Sequence, residues 1–387
     1  MRNVYLEMIR ALAALIVFSG HLTKIDEFKV YMGNYIMLLN WGTEAVIVFF
    51  LLSGTVIRLS MDAKPKTRQL FLKHRIARIL PIYIVSIVLT IVISFLADKP
   101  PNLSTILGNL LFLQTLQGYI SPTIITNQAL WSLSFEVFFY LLYALTIGKN
   151  QKKMLYSWVG ISTFALIIQI VLPLSGIFGH LTIMFAYSSI WLLGYYLVDL
   201  SKYLNIDLIF ASASLGLLPI LSRLDFSNYY LAAKHLLVAV TIIPLFVILT
   251  SNNKVDREQK RISSLTLEWS IWLIIYIIAL FLNFRSQSLL ISKIIYCFIP
   301  LFLATSTLLY KKYSRPIQIN DQFWLMSGQL SYAFYIIHMP IIYALNLSSF
   351  TLGIKLALAI IVSVTSTYIL EYYFHPPIAR KILAYKQ

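Results

Sequence analysis

Residues 9–21 read IRALAALIVFSGH, an apolar run of helical length that carries an arginine and a histidine inside it. In an α-helix, Arg10 and His21 lie within roughly 20° of the same face and about 16 Å apart along the axis. An ionisable group within a membrane span costs several kcal/mol, so such groups usually face the protein interior and mark function. The alternative is that Arg10 reaches the inner headgroups while His21 caps the outer end of the helix.

Similar apolar runs recur along the whole chain, which is 59% hydrophobic and only 12% charged, with a mean hydropathy of +0.78. Soluble domains carry about twice that charged fraction. Each run is close to the ~20 residues that a helix needs to cross the bilayer core, so the sequence predicts an all-α, polytopic transmembrane helical bundle of about 10–12 spans.

The spans predicted from hydropathy have loose boundaries. They cover residues 4–23, 36–58, 77–97, 130–148, 154–173, 180–199, 206–222, 229–250, 267–284, 288–310, 324–346 and 352–373. Residues 103–117 form a shorter apolar stretch, which we expect to be re-entrant or interfacial. Since no Gly/Ser-rich or Pro-rich linker divides the chain, residues 1–387 are predicted to form a single integral membrane domain with no appended soluble domain.

The net charge of +16 is concentrated in every second loop between the apolar runs. Lysine and arginine gather after spans two, four, eight and ten and at the C-terminus. These loops are expected to face the cytoplasm, with both termini inside and the protein in the cytoplasmic membrane. The same distribution argues against nucleic-acid binding. The one cysteine excludes a disulfide framework within the chain and any multi-cysteine metal site.

Further ionisable residues gather near the predicted outer ends of other spans. Glu136 lies in the fourth span with Ser132 on the same face, and Glu44 lies in the outer third of the second. His338 follows Tyr335 at helical spacing in the eleventh span. A histidine near a carboxylate is the usual equipment of general acid–base catalysis. Two histidines and two glutamates could instead hold a metal, but no HExxH-like spacing favours that.

A cationic cluster lies at the opposite, inner side, at the start of the third span. The segment FLKHRIARILPIY, residues 71–83, contains Lys73, Arg75 and Arg78. Arg75 and Arg78 are i, i+3 neighbours with guanidinium groups suited to phosphate. The alternative is ordinary positive-inside charge. Phosphate-binding cations inside and acid–base groups outside would allow chemistry across a membrane, from a cytoplasmic donor to an external acceptor.

Five motifs, in order along nearly the whole chain, resemble those of the acyltransferase-3 family of integral membrane acyltransferases. They are Arg10 to His21 (R-X10-H), FFLLSG at 49–54, RIARILPIY at 75–83, WSLSFEVFFY at 131–140 and LSYAFYIIHMP at 330–340. The second-span motif often has an acid where Ile47 stands here, and Glu44, one turn earlier, is a candidate substitute. The altered ending FHPPIARK leaves the roles of Glu371 and His375 open.

The resemblance implies transfer of an acyl group, most often acetyl from acetyl-CoA, to hydroxyls of carbohydrates such as O-antigen, capsule or exopolysaccharide. By the same resemblance, His21 is the central catalytic residue with Arg10 essential beside it. Arg75 and Arg78, joined by Lys73, would bind the phosphates of the donor. No metal is expected.

The remaining candidate roles are hypotheses about how His21 works. We expect it either to deprotonate the acceptor hydroxyl or to carry the acyl group transiently. Glu136 would hold the imidazole tautomer or receive its proton, and Arg10 would stabilise negative charge on the donor or the oxyanion. The candidates for binding the acceptor are His338, Tyr335, Glu44 and Trp131.

A polysaccharide or glycolipid exporter or flippase, with the buried charges as a proton relay, is the alternative function. Paired Gly/Pro-broken helices in two related halves would favour it, and the sequence shows no such repeat. A passive assembly partner in a polysaccharide machine explains the spans but not the ordered polar motifs.

Overall fold

The computed structural model describes residues 3–148, 150–172, 174–204, 206–222, 231–250, 269–270, 272–278, 280–281, 290–313 and 320–384. These residues are mostly helical, which confirms the predicted all-α fold. The helices are α1 (Val4–His21), α2 (Asp26–Met32), α3 (Gly42–Ala63), α4 (Arg68–Leu96), α5 (Leu103–Leu110), α6 (Trp131–Thr146), α7 (Gln151–Val171), α8 (Gly176–Leu200), α9 (Leu208–Leu215), α10 (Leu218–Ser222), α11 (Leu231–Thr250), α12 (Leu290–Tyr313), α13 (Asp321–Asn346), α14 (Leu352–Ile369) and α15 (His375–Ala384).

Shorter elements connect some of these helices. A 3₁₀ turn, Leu22–Lys24, follows α1, and others cover Gly33–Leu38 and Ile125–Leu130, while a π-helical turn, Leu370–Phe374, joins α14 to α15. Two short parallel strands, β1 (Gln114–Thr115) and β2 (Ser121–Pro122), pair Gln114 with Ser121.

Eight helical segments of the described part are long and apolar enough to cross a membrane, which makes this a multi-pass membrane protein. They are Val4–Lys24, Gly42–Ala63, Arg68–Leu96, Ile125–Thr146, Gln151–Val171, Gly176–Leu200, Leu231–Thr250 and Leu352–Ala384. Each coincides with a predicted span.

The other four predicted spans have different outcomes. The prediction 206–222 corresponds to two short helices, α9 and α10, and 288–310 falls on α12. The prediction 324–346 matches α13, which lies outside the set of eight because residues such as Gln329 and Ser331 lower its hydropathy. The prediction 267–284 lies partly outside the described residues.

The chain divides into two compact units. The first comprises residues 1–49, 64–188 and 320–387, and the second comprises residues 50–63 and 189–319. The single integral membrane domain stays a prediction. All residues of the candidate site described below belong to the first unit.

The first unit is organised around the contact of α1 with α13. Gly328 allows a close approach, because a Cβ built there would lie 2.8 Å from the backbone Cα of Glu7. Farther along, the rings of Phe18 and Phe334 lie 5.2 Å apart. Small residues at helix contacts are the usual device for membrane helices, which gain stability from close packing rather than from expulsion of water. The first and eleventh predicted spans are thereby neighbours.

The segment between α4 and α6 buries several polar residues inside this unit, while several of its leucines and isoleucines are exposed. Asn109, Gln114 and Asn127 are all fully buried. The side-chain amide of Gln114 donates to the carbonyl of Leu130, and that of Asn109 donates to the carbonyl of Pro122. Irregular backbone is tolerated at membrane depth only where protein groups satisfy it, so this geometry suits the re-entrant arrangement expected for 103–117.

The FFLLSG motif ends in a close helix contact within the second unit. A Cβ on Gly54 would lie 2.1 Å from the Trp191 carbonyl oxygen, and one on Gly194 would lie 2.2 Å from that of Leu51. Thr55 donates to the Gly194 carbonyl at 2.9 Å. In this structure the glycine of the motif therefore has a packing role.

We predict that Gly328→Ala destabilises the protein by about 1–3 kcal/mol, the usual cost of overpacking, because the backbone of α1 has to move away. The matched control is Gly353→Ala at the start of α14, where a Cβ meets no atom within 4 Å. The thermal midpoint of the detergent-purified protein measures both. Equal midpoints for G328A and the wild type would contradict the close contact.

Candidate active site

His21 ends α1, and its ring lies edge to edge with that of His338 from α13, the two ring planes differing by 18°. Nδ1 of His21 lies 2.7 Å from Nε2 of His338, and the ring centroids are 5.0 Å apart. His338 is fully buried, with the rings of Phe18 and Phe334 at 5.8 and 5.9 Å. The structure thus joins two residues that the sequence placed in different roles.

The hydrogen bonds of a neutral His338 decide which nitrogen of His21 carries a proton. Nδ1 of His338 lies 2.9 Å from the carbonyl oxygen of Phe334, which only accepts, so this Nδ1 is the donor. Nε2 of His338 is then unprotonated and accepts the Nδ1–H of His21. Nε2 of His21 is left with its lone pair, which is the form required of a general base.

A cavity of about 230 Å³ lies beside His21. It is smaller than the ~300–1,000 Å³ of drug-sized sites, so it suits one ring-sized group. Besides His21 and a few apolar positions, its lining consists of polar and aromatic residues: Thr23, Lys24, Asn40, Thr43, Gln128, Trp131 and Tyr335. Hydroxyl and amide groups next to an indole are suited to a ligand that has both hydroxyls and an apolar face.

Of the residues predicted to bind an acceptor, Trp131 and Tyr335 line this cavity. The Tyr335 hydroxyl donates to the carbonyl of Ala129 and lies 2.8 Å from the Ser132 hydroxyl, which holds the ring in place. Glu44 is buried in the first turn of α3, next to a lining residue. His338 is outside the described cavity lining and contacts the site through its hydrogen bond to His21.

Glu136 lies deeper along α6 and is hydrogen-bonded to the Tyr140 hydroxyl. The ring of Tyr140 in turn lies under the Arg75 guanidinium, 5.4 Å from ring centroid to Cζ. Ser132, Glu136 and Tyr140 follow at i, i+4 and i+8 on one face of the helix. A column of polar side chains thus leads from the wall of the cavity to Arg75. The role predicted for Glu136, holding the imidazole tautomer or receiving its proton, stays a prediction, and the hydrogen-bond partner of His21 Nδ1 in the structure is His338.

Arg10 lies on the same helix as His21 but about 16 Å farther along its axis, as the spacing predicted. Its guanidinium bonds the Glu7 carboxylate at 3.0 Å, and both side chains are largely shielded from solvent. The carboxylate of Glu7, adjacent to Gly328, therefore compensates the charge of Arg10.

Arg78 is engaged within the protein. Its Nη1 donates to both carboxylate oxygens of Glu371, at 3.0 and 2.8 Å, and its Nη2 donates to the carbonyl of Gln329. Glu371 has no exposed side-chain surface and also lies near His375, whose Nε2 donates to the Ala77 carbonyl. This network ties α4, α13 and the π-helical turn together, and it gives Glu371 and His375 a structural role that the sequence left open.

Arg75 differs from Arg78 in having a buried Nε with no hydrogen-bond partner among the described residues. Its guanidinium lies over the rings of Phe71 and Tyr140. Partial burial, and next the Arg75 charge, lower the pKa of the neighbouring Lys66 ammonium. Lys73 lies half-buried two residues before Arg75. This crowding of cations around a guanidinium with an unused donor fits the phosphates of a donor molecule.

One ion pair that the sequence reasoning missed lies next to the turn after His21. Lys355 of α14 is buried and donates to Glu27 at 2.6 Å. A lysine inside the last apolar span was the available signal. Among the described residues, no group of three or more His, Cys, Asp and Glu side chains could hold a metal ion.

Residues 3–267 match the model of a protein family described as an acyltransferase domain. Among curated proteins, the chain is 35% identical over 144 residues to the acyltransferase MdmB of Streptomyces mycarofaciens. That alignment covers 35% of this chain and 37% of the relative, so the chain spans little more than a third of the curated relative it matches. No solved structure matches the chain significantly.

We predict that Glu371→Ala lowers the free energy of unfolding by about 1–3 kcal/mol, because it leaves the partly exposed Arg78 without its carboxylate partner. The double variant with Arg78→Met should recover part of the loss. Lys202→Ala, which breaks an exposed pair with Asp199, is the control and should cost less than 1 kcal/mol, as surface pairs typically do. Denaturant unfolding in detergent measures all three, and a neutral E371A would contradict a structural role for the pair.

Proposed function

The chain belongs to the acyltransferase-3 family, and we propose that it is a transmembrane O-acyltransferase which moves an acyl group from a cytoplasmic donor to a hydroxyl on the outer side of the membrane. We expect the donor to be acetyl-CoA and the acceptor to be a carbohydrate of the cell envelope, such as O-antigen, capsule or exopolysaccharide. The observation that carries this proposal is the hydrogen bond of His21 Nδ1 to His338 beside a polar cavity, which leaves Nε2 of His21 unprotonated when His338 is neutral.

The proposed orientation has both termini in the cytoplasm and the protein in the cytoplasmic membrane. α1 then runs outward, so that His21 and the cavity lie towards the outer side. Arg75, near the start of α4, lies towards the inner side. This arrangement follows from the basic loops and agrees with a donor and an acceptor that enter from opposite faces.

His21 is the proposed general base. Its Nε2 takes the proton of the acceptor hydroxyl as the new ester C–O bond forms, and the imidazolium returns that proton to the sulfur as the thioester C–S bond breaks. His338 is the proposed positioning residue, because its hydrogen bond selects the tautomer of His21 and stabilises the imidazolium. Acetyl-CoA supplies the acyl group in activated form as a thioester.

Arg75 is the proposed anchor for the phosphates of the donor, with Lys66 and Lys73 beside it. Its buried, unpartnered Nε supports this assignment. Arg78 contributes by holding α4 against α13 through Glu371, rather than by offering its Nη1 to phosphate. Arg10 lies too far from His21 along α1 to reach an oxyanion there, so we assign it to the path of the donor.

The acceptor is proposed to enter the cavity with its ring against Trp131 and its hydroxyls towards the amides of Asn40 and Gln128. Deletion of the gene, followed by mass spectrometry and NMR of the surface glycans, tests this class of acceptor. Loss of acyl groups with the glycan retained supports an acyltransferase. Unchanged acylation with loss of surface glycan would support an exporter instead.

We predict that His21→Ala and His338→Leu each lower kcat for acetyl transfer by about 10²–10⁴-fold, the usual contribution of a general base. His338→Gln keeps an acceptor near the position of Nε2 and should retain more activity than His338→Leu. Transfer of radiolabelled acetyl from acetyl-CoA by purified protein measures these effects. Full activity in H21A at normal protein level would overturn the assignment.

We predict that Arg75→Met raises KM for acetyl-CoA about 10-fold or more, in line with the loss of one charged hydrogen-bonding group. Removal of the 3′-phosphate from acetyl-CoA should weaken the wild type but have less effect on this variant. Arg68→Met is the control, because Arg68 donates to the carbonyls of Ala144 and Leu145 at the end of α6. An equal change of KM in both variants would indicate a general charge effect.

A further inference from the structure

One charged residue lines the cavity beside His21 and has no role in the proposed mechanism. Among the described lining residues, Lys24 alone carries a permanent charge. It ends the 3₁₀ turn that continues α1, three residues after His21. The next residue, Ile25, is fully buried in the core around Phe18 and Ile342, so the turn is anchored directly beyond Lys24.

The two carboxylates that follow in the chain are engaged elsewhere. Asp26 and Asn346 exchange two hydrogen bonds, at 2.9 and 3.0 Å. Glu27 accepts from the buried Lys355, whose ammonium holds the pKa of that carboxyl below its usual value. In the part of the chain that the structure describes, no carboxylate forms an ion pair with Lys24.

A half-buried ammonium without a counter-ion is unfavourable, since it has lost part of its hydration without a compensating charge. An anion that enters the cavity restores that compensation and is drawn in by the field of Lys24. The other polar lining groups, from Asn40 and Gln128 among others, are neutral and bind hydroxyls equally well on neutral or charged ligands. Lys24 is therefore the residue that distinguishes the two.

We propose that the acceptor carries an anionic group, a carboxylate or a phosphate, close to the hydroxyl that is acylated, and that Lys24 binds this group while His21 deprotonates the hydroxyl. The inference rests on the proposed function and specifies its acceptor. The protein then selects acidic glycans over neutral ones, and the selection appears in acceptor binding rather than in the chemical step.

The test uses the surface glycan purified from the deletion strain, in its native form, after carboxyl reduction and after dephosphorylation with hydrofluoric acid. Detergent-purified protein is assayed with radiolabelled acetyl-CoA, and binding of each glycan without donor is measured by calorimetry. The variants are Lys24→Gln and Lys24→Arg. Lys29→Gln is the matched control, since it removes one positive charge from the same segment at an exposed position outside the cavity lining.

The expected result is a rise of about 10-fold in KM for the native glycan in Lys24→Gln, with kcat little changed, recovery in Lys24→Arg and no change in Lys29→Gln. The neutralised glycan should show the same KM with the wild type and with Lys24→Gln. The treatment that weakens wild-type binding identifies the anion as carboxylate or phosphate.

Two results would overturn the inference. If the wild type acylates and binds all three glycan forms equally well, Lys24 does not recognise an anion, although the proposed acyltransferase stands. If the wild type transfers acetyl to no form of the glycan and binds none of them, the proposed glycan acceptor fails together with the inference. The two failures are distinct, because only the first leaves acetyl incorporation intact.

Discussion

Pro340 lacks the backbone N–H that would otherwise bond the carbonyl of Ile336, and the first compact unit depends on how that carbonyl is satisfied. The Ser86 hydroxyl donates to it at 2.6 Å and the Asn127 amide at 2.9 Å. An unsatisfied carbonyl in an apolar environment costs several kcal/mol, so these two donors hold α4 and the buried 3₁₀ segment against α13. The same arrangement recurs in the N-terminal half of α4, where Pro81 frees the carbonyl of Ala77 and the ring of His375 donates to it.

These bonds hold α13 on one side, and α1 packs against it on another. The third helix that packs against α13 is α14. α14 buries one stripe of residues at i, i+4 spacing: Lys355, Ala359, Ser363 and Thr367, continued by Glu371 in the π-helical turn. Sixteen residues of helix span about 24 Å, close to the thickness of a bilayer core. The two charged ends of this stripe pair with Glu27, three residues after the cavity-lining Lys24, and with Arg78 near the start of α4. One helix therefore supports both regions that the proposed reaction uses.

The features predicted correctly from sequence are those that local spacing determines. Eight predicted spans coincide with long apolar helices, and the eleven-residue interval places Arg10 and His21 on one helix. The partner of His21 could not be read in this way, because His338 lies 317 positions away and the two meet only through the packing of α1 on α13. Glu371 is a similar case, since its partner Arg78 lies 293 positions earlier. The catalytic and binding roles of these residues stay predictions.

The polar face of α6 links the wall of the cavity beside His21 to Arg75, the proposed anchor of the donor. Ser132 bonds Tyr335 of the cavity wall, and Tyr140, eight residues on, lies under Arg75. Eight residues of helix correspond to about 12 Å, so the contact with Tyr335 and the contact with Arg75 lie about that far apart along α6. A donor whose acyl group is at the end of a long, flexible arm can bridge the distance from Arg75 to the cavity without movement of these helices. This separation agrees with the proposed donor, which has its phosphates at one end and its thioester at the other, and Glu136 lies midway along the same face.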